Sequence, residues 1–338
     1  MKRNGVCYDV GRVMMGDNWR PVLDPHILRR ELEIIRQDLH CNAVRICGLD
    51  LERLMLASEE ALKQGLEVWL SPEMWDRSQA ETLDHLSRVA LAAEQLRKAF
   101  PQRLILSVGS ELTLFMQGIV EGNSFLERLH NPAMWEQIKA GAHNGPLNAF
   151  LRKANEAVRA VFRGQLTYFS VPLETVDWSP FDFVGVDMYR EARIREKYGD
   201  LLKRYLGYGK PLIIGEFGCC TYQGAEQAGG RGWDILDFTA SPLQLNGTYV
   251  RDEALQAREL SEMLAILENV GVEGAFVFTF VTPTFPTHED ARYDLDMASY
   301  SLVKSLANGC GTRYPELPWE PKEAFAAVAE YYRLHQVR

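Results

Sequence analysis

Pro211-Leu212-Ile213-Ile214-Gly215-Glu216-Phe217-Gly218 carries an unbroken apolar run that stops at a single acidic residue. A continuous rather than alternating apolar run predicts a strand covered on both faces, as in parallel sheets. Leu104-Ile105-Leu106-Ser107-Val108-Gly109-Ser110-Glu111 repeats the pattern and also ends on a glutamate. Working outward, six further runs read as strands: Gly5–Val13, Ala43–Cys47, Glu67–Ser71, Leu166–Val171, Phe181–Asp187 and Gly274–Phe280. With Arg103–Val108 and Pro211–Glu216 the total is eight, the number that closes a (β/α)8 barrel.

The segments between the strands have helical spacing. Asp24-Pro25 is a cap followed by proline at the first helical position, and Leu28, Leu32, Ile35 and Leu39 then share one face. Ser78 precedes the face of Leu83, Leu86, Ala90 and Ala93, and Pro146 opens the helix of Phe150, Leu151, Ala154, Val158 and Val161. Asp252 precedes Leu260, Met263, Leu264 and Leu267, and Pro321 is expected to start the last helix. Only Leu173 to Pro180 separates the fifth strand from the sixth, too little for a crossover helix. A doubly wound open sheet is the competing fold, but no GxGxxG or GxxxxGK[ST] follows a strand.

The reading is therefore an α/β TIM barrel, one domain over residues 1–338, with long loops after strands four, seven and eight (Thr113–Gly145, Cys219–Arg251 and Val281–Glu320). Loops after barrel strands build the face on which chemistry occurs. The net charge of −9 argues against nucleic acid or an anionic membrane as partner, and no apolar run approaches a membrane span. Six scattered cysteines, and an N-terminus that runs directly into a strand, fit a cytoplasmic protein. No CxxC or HExxH is present, so neither a metal nor an organic cofactor is expected, and the oligomeric state is left open.

Glu111 and Glu216 would stand at the mouth of such a barrel, where burial and neighbours move a carboxyl pKa. Two opposed carboxylates are what glycoside hydrolysis needs, one as nucleophile and one as acid and then base. Taken separately, Glu111 could cap the following turn and Glu216 could form an ordinary ion pair with Arg45. Asp9 near the end of strand one could meet sugar hydroxyls. Glu73 and Trp75 after strand three suit sugar recognition and stacking, against the plainer roles of helix cap and core tryptophan. Tyr189 could donate to Glu216 or pack at the rim. Trp233, in the glycine-rich loop Gly229-Gly230-Arg231-Gly232, is the preferred lid residue.

At two segments the sequence resembles the clan A retaining glycoside hydrolases, a group of (β/α)8 enzymes. Ile214-Gly215-Glu216-Phe217-Gly218 is similar to their nucleophile segment, and Ser107-Val108-Gly109-Ser110-Glu111 to their acid/base segment. The resemblance implies Glu216 as nucleophile, Glu111 as acid/base and a carbohydrate substrate. Asn42-Ala43-Val44-Arg45 resembles the strand-two segment whose arginine lies beside the nucleophile, and Tyr189 stands where strand six supplies a partner. Two positions depart from the clan: Ser110 replaces the asparagine before the acid/base, and strand eight offers phenylalanine where a tryptophan usually floors the sugar site. The chain is also similar to bacterial proteins labelled as abortive-infection (phage-defence) proteins. A second reading is accordingly a catalytically idle barrel that binds a carbohydrate or a protein partner in such a pathway.

Overall fold

The computed structural model describes residues 1–335, so the last three residues of the expected 1–338 domain lie outside the description. Eight strands form a closed barrel: β1 (Arg3–Asp9), β2 (Ala43–Gly48), β3 (Glu67–Pro72), β4 (Leu104–Ser110), β5 (Gln165–Ser170), β6 (Val184–Asp187), β7 (Leu212–Phe217) and β8 (Gly274–Val277). Every neighbouring pair is parallel, and β1 closes the ring on β8.

The outer layer contains α1 (Pro25–Gln37), α2 (Leu51–Lys63), α3 (Gln79–Ala99), α4 (Asn144–Val161), α5 (Tyr198–Leu206), α6 (Glu253–Val270) and α7 (Glu323–Leu334). Their starts follow from capping chemistry. Asp24 accepts from the His26 and Ile27 amides, Asp252 from Leu255, and Ser78 and Glu81 make a reciprocal capping box. Pro146 lies in the first turn of α4, whereas Pro321 ends a short strand and α7 begins two residues later. The short α5 is hard to read from apolar spacing because it buries only Tyr198 and Leu202.

No helix occurs between β5 and β6 among the described residues. The turn there is pinned instead by the Lys210 ammonium, which donates to the carbonyls of Trp178, Ser179 and Phe181. Two strands end earlier than their apolar runs. β1 stops at Asp9 because that carboxylate turns the chain, accepting from the Gly11 and Arg12 amides at 2.7 and 2.8 Å. β8 stops at Val277, just before the cis peptide Phe278–Thr279. The three long loops have structure of their own. Short helices Phe125–His130 and Pro132–Lys139 follow β4, a 3-10 segment Gly229–Ile235 follows β7, and a small three-stranded sheet follows β8.

Inside the barrel, aromatic packing gives way to charge toward the mouth. Trp69 is buried against Phe183, Phe276 and Phe169 at ring separations of 4.9, 5.5 and 6.2 Å. Glycine makes room for these rings: a Cβ at Gly5 would come within 2.4 Å of Phe276, and one at Gly215 within 2.2 Å of Phe169. Beneath the rings, Arg3 bridges Glu67 and Glu273 at 2.5 Å each. Above them the interior residues become Arg45, Asp187 and Glu216, so the plug is the floor on which the polar layer rests. Trp69→Ala should therefore destabilise the protein by about 3–5 kcal/mol, read as a lowered urea midpoint. An unchanged midpoint would mean that the plug carries little of the stability.

Candidate active site

Glu216 near the end of β7 is 6% exposed. Its Oε1 accepts from Arg45 Nη1 at 3.2 Å and Arg12 Nη1 at 3.4 Å, and its Oε2 accepts from the Tyr189 hydroxyl at 2.9 Å. One carboxylate oxygen from each of Glu111, Asp187 and Glu216 lies within 4.8 Å of the others.

Glu111 reaches this cluster through its backbone. It follows β4 in the left-handed conformation, at φ 49° and ψ 39°, and immediately precedes the short helix Leu112–Phe115. Its side chain makes no cap hydrogen bond, so the turn-capping role does not apply. Other groups hold that helix end. Tyr168 Oη accepts from the Leu112 amide at 2.9 Å, and Glu174 accepts from the Thr113 amide at 3.1 Å and from Tyr168 at 2.9 Å. Burial pushes Glu174 up to about 7, opposed by these hydrogen bonds. With its amides satisfied elsewhere, the helix leaves the Glu111 carboxyl free to face the cavity.

The carboxyl of Glu111 is held well above the usual range, first by removal from water and then by the nearby charges of Asp187 and Glu216. Asp187 is pushed up to about 8, mainly by burial, with Arg45 opposing and Glu216 adding to the rise. Ser110 Oγ donates to Asp187 at 2.7 Å and Arg45 Nη1 donates at 3.2 Å. The serine that departs from the clan pattern is thus the hydrogen-bond partner of a buried aspartate.

Arg45 is fully buried. It also reaches Glu73 at 3.2 Å and lies 4.0 Å from the centre of the Phe169 ring. Expected among the substrate-binding residues, it has no surface left for a ligand and instead ties three carboxylates together. Glu73 is 5% exposed, pairs with Arg12 at 3.1 Å, and is raised by burial. It is not the cap of α3, a role taken by Ser78. Asp9 differs from its expected role because Arg12 Nε and two backbone amides occupy its oxygens and it does not line the cavity. It fixes Arg12, a residue that sequence reasoning missed. Arg12 lies three residues past Asp9, beyond the strand, and only the Asp9 turn returns it to Glu216. Its Cζ stands 4.9 Å from the centre of the Phe278 ring, at the end of β8.

Above the carboxylates opens a cavity of about 440 Å³, a size suited to a small organic ligand. Trp75, Tyr189 and Trp233 line it. Trp75 stacks on Phe115 at 3.6 Å, and Phe115, Phe125 and Trp233 continue the chain of rings across the mouth at 5.2 and 6.3 Å. Other ring-bearing and charged residues of the long loops, His143, Tyr222, His288, Arg292 and Tyr293, do not line the cavity. Three clustered carboxylates could in principle hold a cation. Here Arg45 already stands 3.2 Å from both Asp187 and Glu216, in the position a cation's charge would take.

No protein-family model and no curated protein matches the chain. Solved structures do match. A GH113 β-1,4-mannanase aligns with a TM-score of 0.62 at 13% identity, covering 98% of this chain and 99% of its own. A GH113 β-mannanase from Alicyclobacillus acidocaldarius gives 0.60 at 16%, covering 98% and 97%. A glycoside hydrolase 5 lichenase from Caldicellulosiruptor sp. F32 gives 0.58 at 11%, covering 97% and 93%. At these identities the likeness is one of fold, and the closed eight-strand barrel agrees with it.

The raised Asp187 pKa has a stability consequence with a definite sign. The folded state holds this proton up to about pH 8, the unfolded chain only to about 3.9. The associated stability is complete below the lower value and is lost as pH rises through the upper one. Asp187→Asn should fold and show a shallower fall in melting temperature between about pH 4 and 8 than the wild type. Equal slopes would remove Asp187 as a titrating group.

Proposed function

We propose that the protein is a retaining glycoside hydrolase or transglycosidase. The observation that carries this reading is the approach of the Glu111 and Glu216 carboxylates to within 4.8 Å at the floor of one cavity. Retaining enzymes keep the two groups about 5–5.5 Å apart, whereas inverting enzymes need about 6.5–9.5 Å to fit a water between them.

The environments of the two groups support different roles. Every group that reaches Glu216 is a donor, so its oxygens are held as acceptors in a fixed orientation. Glu111 has a pKa raised well above the ordinary carboxyl range, first by burial, which favours its protonated form. In the first step, Glu216 attacks the anomeric carbon as the bond to the leaving oxygen breaks, and the Glu111 proton passes to that oxygen. A glycosyl ester on Glu216 and ionised Glu111 result. In the second step, Glu111 takes a proton from water or an acceptor hydroxyl, whose oxygen attacks the same carbon and releases Glu216. Two inversions restore the original configuration. Tyr189 and the two arginines hold Glu216 between the steps, and no organic cofactor takes part.

A panel of 2-deoxy-2-fluoro glycosyl fluorides tests the covalent step. The expected result is a mass increase on the peptide containing Glu216 with one sugar, absent in Glu216→Gln. Turnover at the wild-type rate in Glu216→Gln would overturn the mechanism. Glu111→Gln should lower kcat by about 10²–10⁴-fold while leaving the melting temperature near that of the wild type. The pH profile has a fixed direction: the acid must be protonated, so kcat/KM should fall as pH rises through the raised Glu111 pKa. That alkaline limb should disappear in Glu111→Gln when the leaving group needs no protonation.

A further inference from the structure

Several side chains on the cavity wall have no part in this chemistry. Leu114 follows β4, and Leu129 and Trp135 lie on the short helices after it. Val171 follows β5, Ile194 lies after β6 and Leu201 is on α5. Since β4, β5 and β6 are consecutive neighbours in the barrel, these side chains form one sector of the mouth, beside Glu111. The rest of the wall mixes charged groups, among them Arg12, Glu73 and Glu216, with rings such as Trp19, Phe278 and Phe285.

Hydrogen-bonding groups in the apolar sector are engaged or lie at its exposed edge. Trp135 Nε1 donates to the Leu129 carbonyl at 2.9 Å, and Arg193 donates to Glu191 at 2.9 Å. Arg204 remains at the exposed edge. A second sugar placed there would bring hydroxyls into contact with a wall that cannot receive them, and burying unmatched hydroxyls is costly. A hydrocarbon body meets no such penalty and is stabilised by leaving water. In glycoside cleavage the general acid stands on the side of the leaving group, and Glu111 belongs to the apolar sector.

We propose that this sector is an aglycone site, and that the natural leaving group is an alkyl or aryl body rather than another sugar. The term leaving group rests on the glycosidase reading above; the apolar binding site does not.

The test uses n-alkyl β-D-glucopyranosides and β-D-mannopyranosides from methyl to octyl, with cellobiose and mannobiose for comparison. Successive methylenes should raise kcat/KM by up to about fourfold each until the wall is covered, with both disaccharides slower than the octyl glycosides. Leu201→Glu and, as a second variant outside the barrel wall, Trp135→Ala should flatten that series. A parallel measurement needs no turnover. Anilinonaphthalene sulfonate bound to the wild type should be displaced by octyl but not methyl glycosides, and both variants should bind it at least tenfold more weakly. Displacement without turnover of any glycoside would keep the apolar site and remove the glycosidase reading. Turnover that ignores chain length, or that favours a disaccharide, would overturn the aglycone site and leave the glycosidase reading in place. Neither turnover nor displacement would remove both.

Discussion

The ion cluster around Arg45 is the constraint on which the upper barrel depends. One fully buried guanidinium meets Glu73, Asp187 and Glu216, contributed by or just after β3, β6 and β7. Burying ions is unfavourable unless geometry and hydrogen bonds compensate. Arg45 achieves this with three carboxylates, the Ser71 hydroxyl and the face of Phe169. The charges still do not balance locally. Two arginines, Arg12 and Arg45, stand among Asp9, Glu73, Asp187, Glu216 and Glu111. Burial first, and then the excess negative charge, push both Asp187 and Glu111 upward. The raised pKa of Glu111 thus comes from the same packing that buries the cluster, and the acid role proposed for it would rest on that packing.

Ser110 and Phe278, the two departures from the clan pattern, belong to this cluster. Ser110 is engaged with Asp187, and Phe278 lies beneath the Arg12 guanidinium. A ring face beneath a guanidinium is not free for a sugar to stack on.

Much of the barrel was legible because parallel strands covered on both faces leave unbroken apolar runs, as at Leu104–Leu106 and Leu212–Ile214. The two glutamates were legible for the same reason, since each is the first acidic residue after such a run. Asp187 sits at the end of an equally clear strand, but its significance arises from neighbours on β2, β4 and β7, which no local pattern reports. Arg12 was hidden by the turn that Asp9 makes with its own backbone. Asp9 itself was read as facing a ligand because a strand-end carboxylate looks the same in sequence whether it binds substrate or ties up its own chain. The ring contacts from Trp75 to Trp233 join loops more than a hundred residues apart, and composition can report only that aromatics are present.

The two carboxylates are anchored very differently. Glu216 is within a central strand and is gripped by three donors. Glu111 has a left-handed backbone and no side-chain hydrogen bond. It depends on a four-residue helix pinned by Glu174, which lies in the β5–β6 crossover, where no helix occurs among the described residues. On the mechanism proposed above, mild heat or denaturant that loosens this crossover would withdraw the proposed proton donor first and leave the proposed nucleophile in place. On that same proposal, the damaged protein would still accept glycosides with activated leaving groups and be open to rescue by small anions. The two carboxyl groups of the site thus rest on unlike supports, Glu216 on a barrel strand and Glu111 on a turn held from the neighbouring crossover.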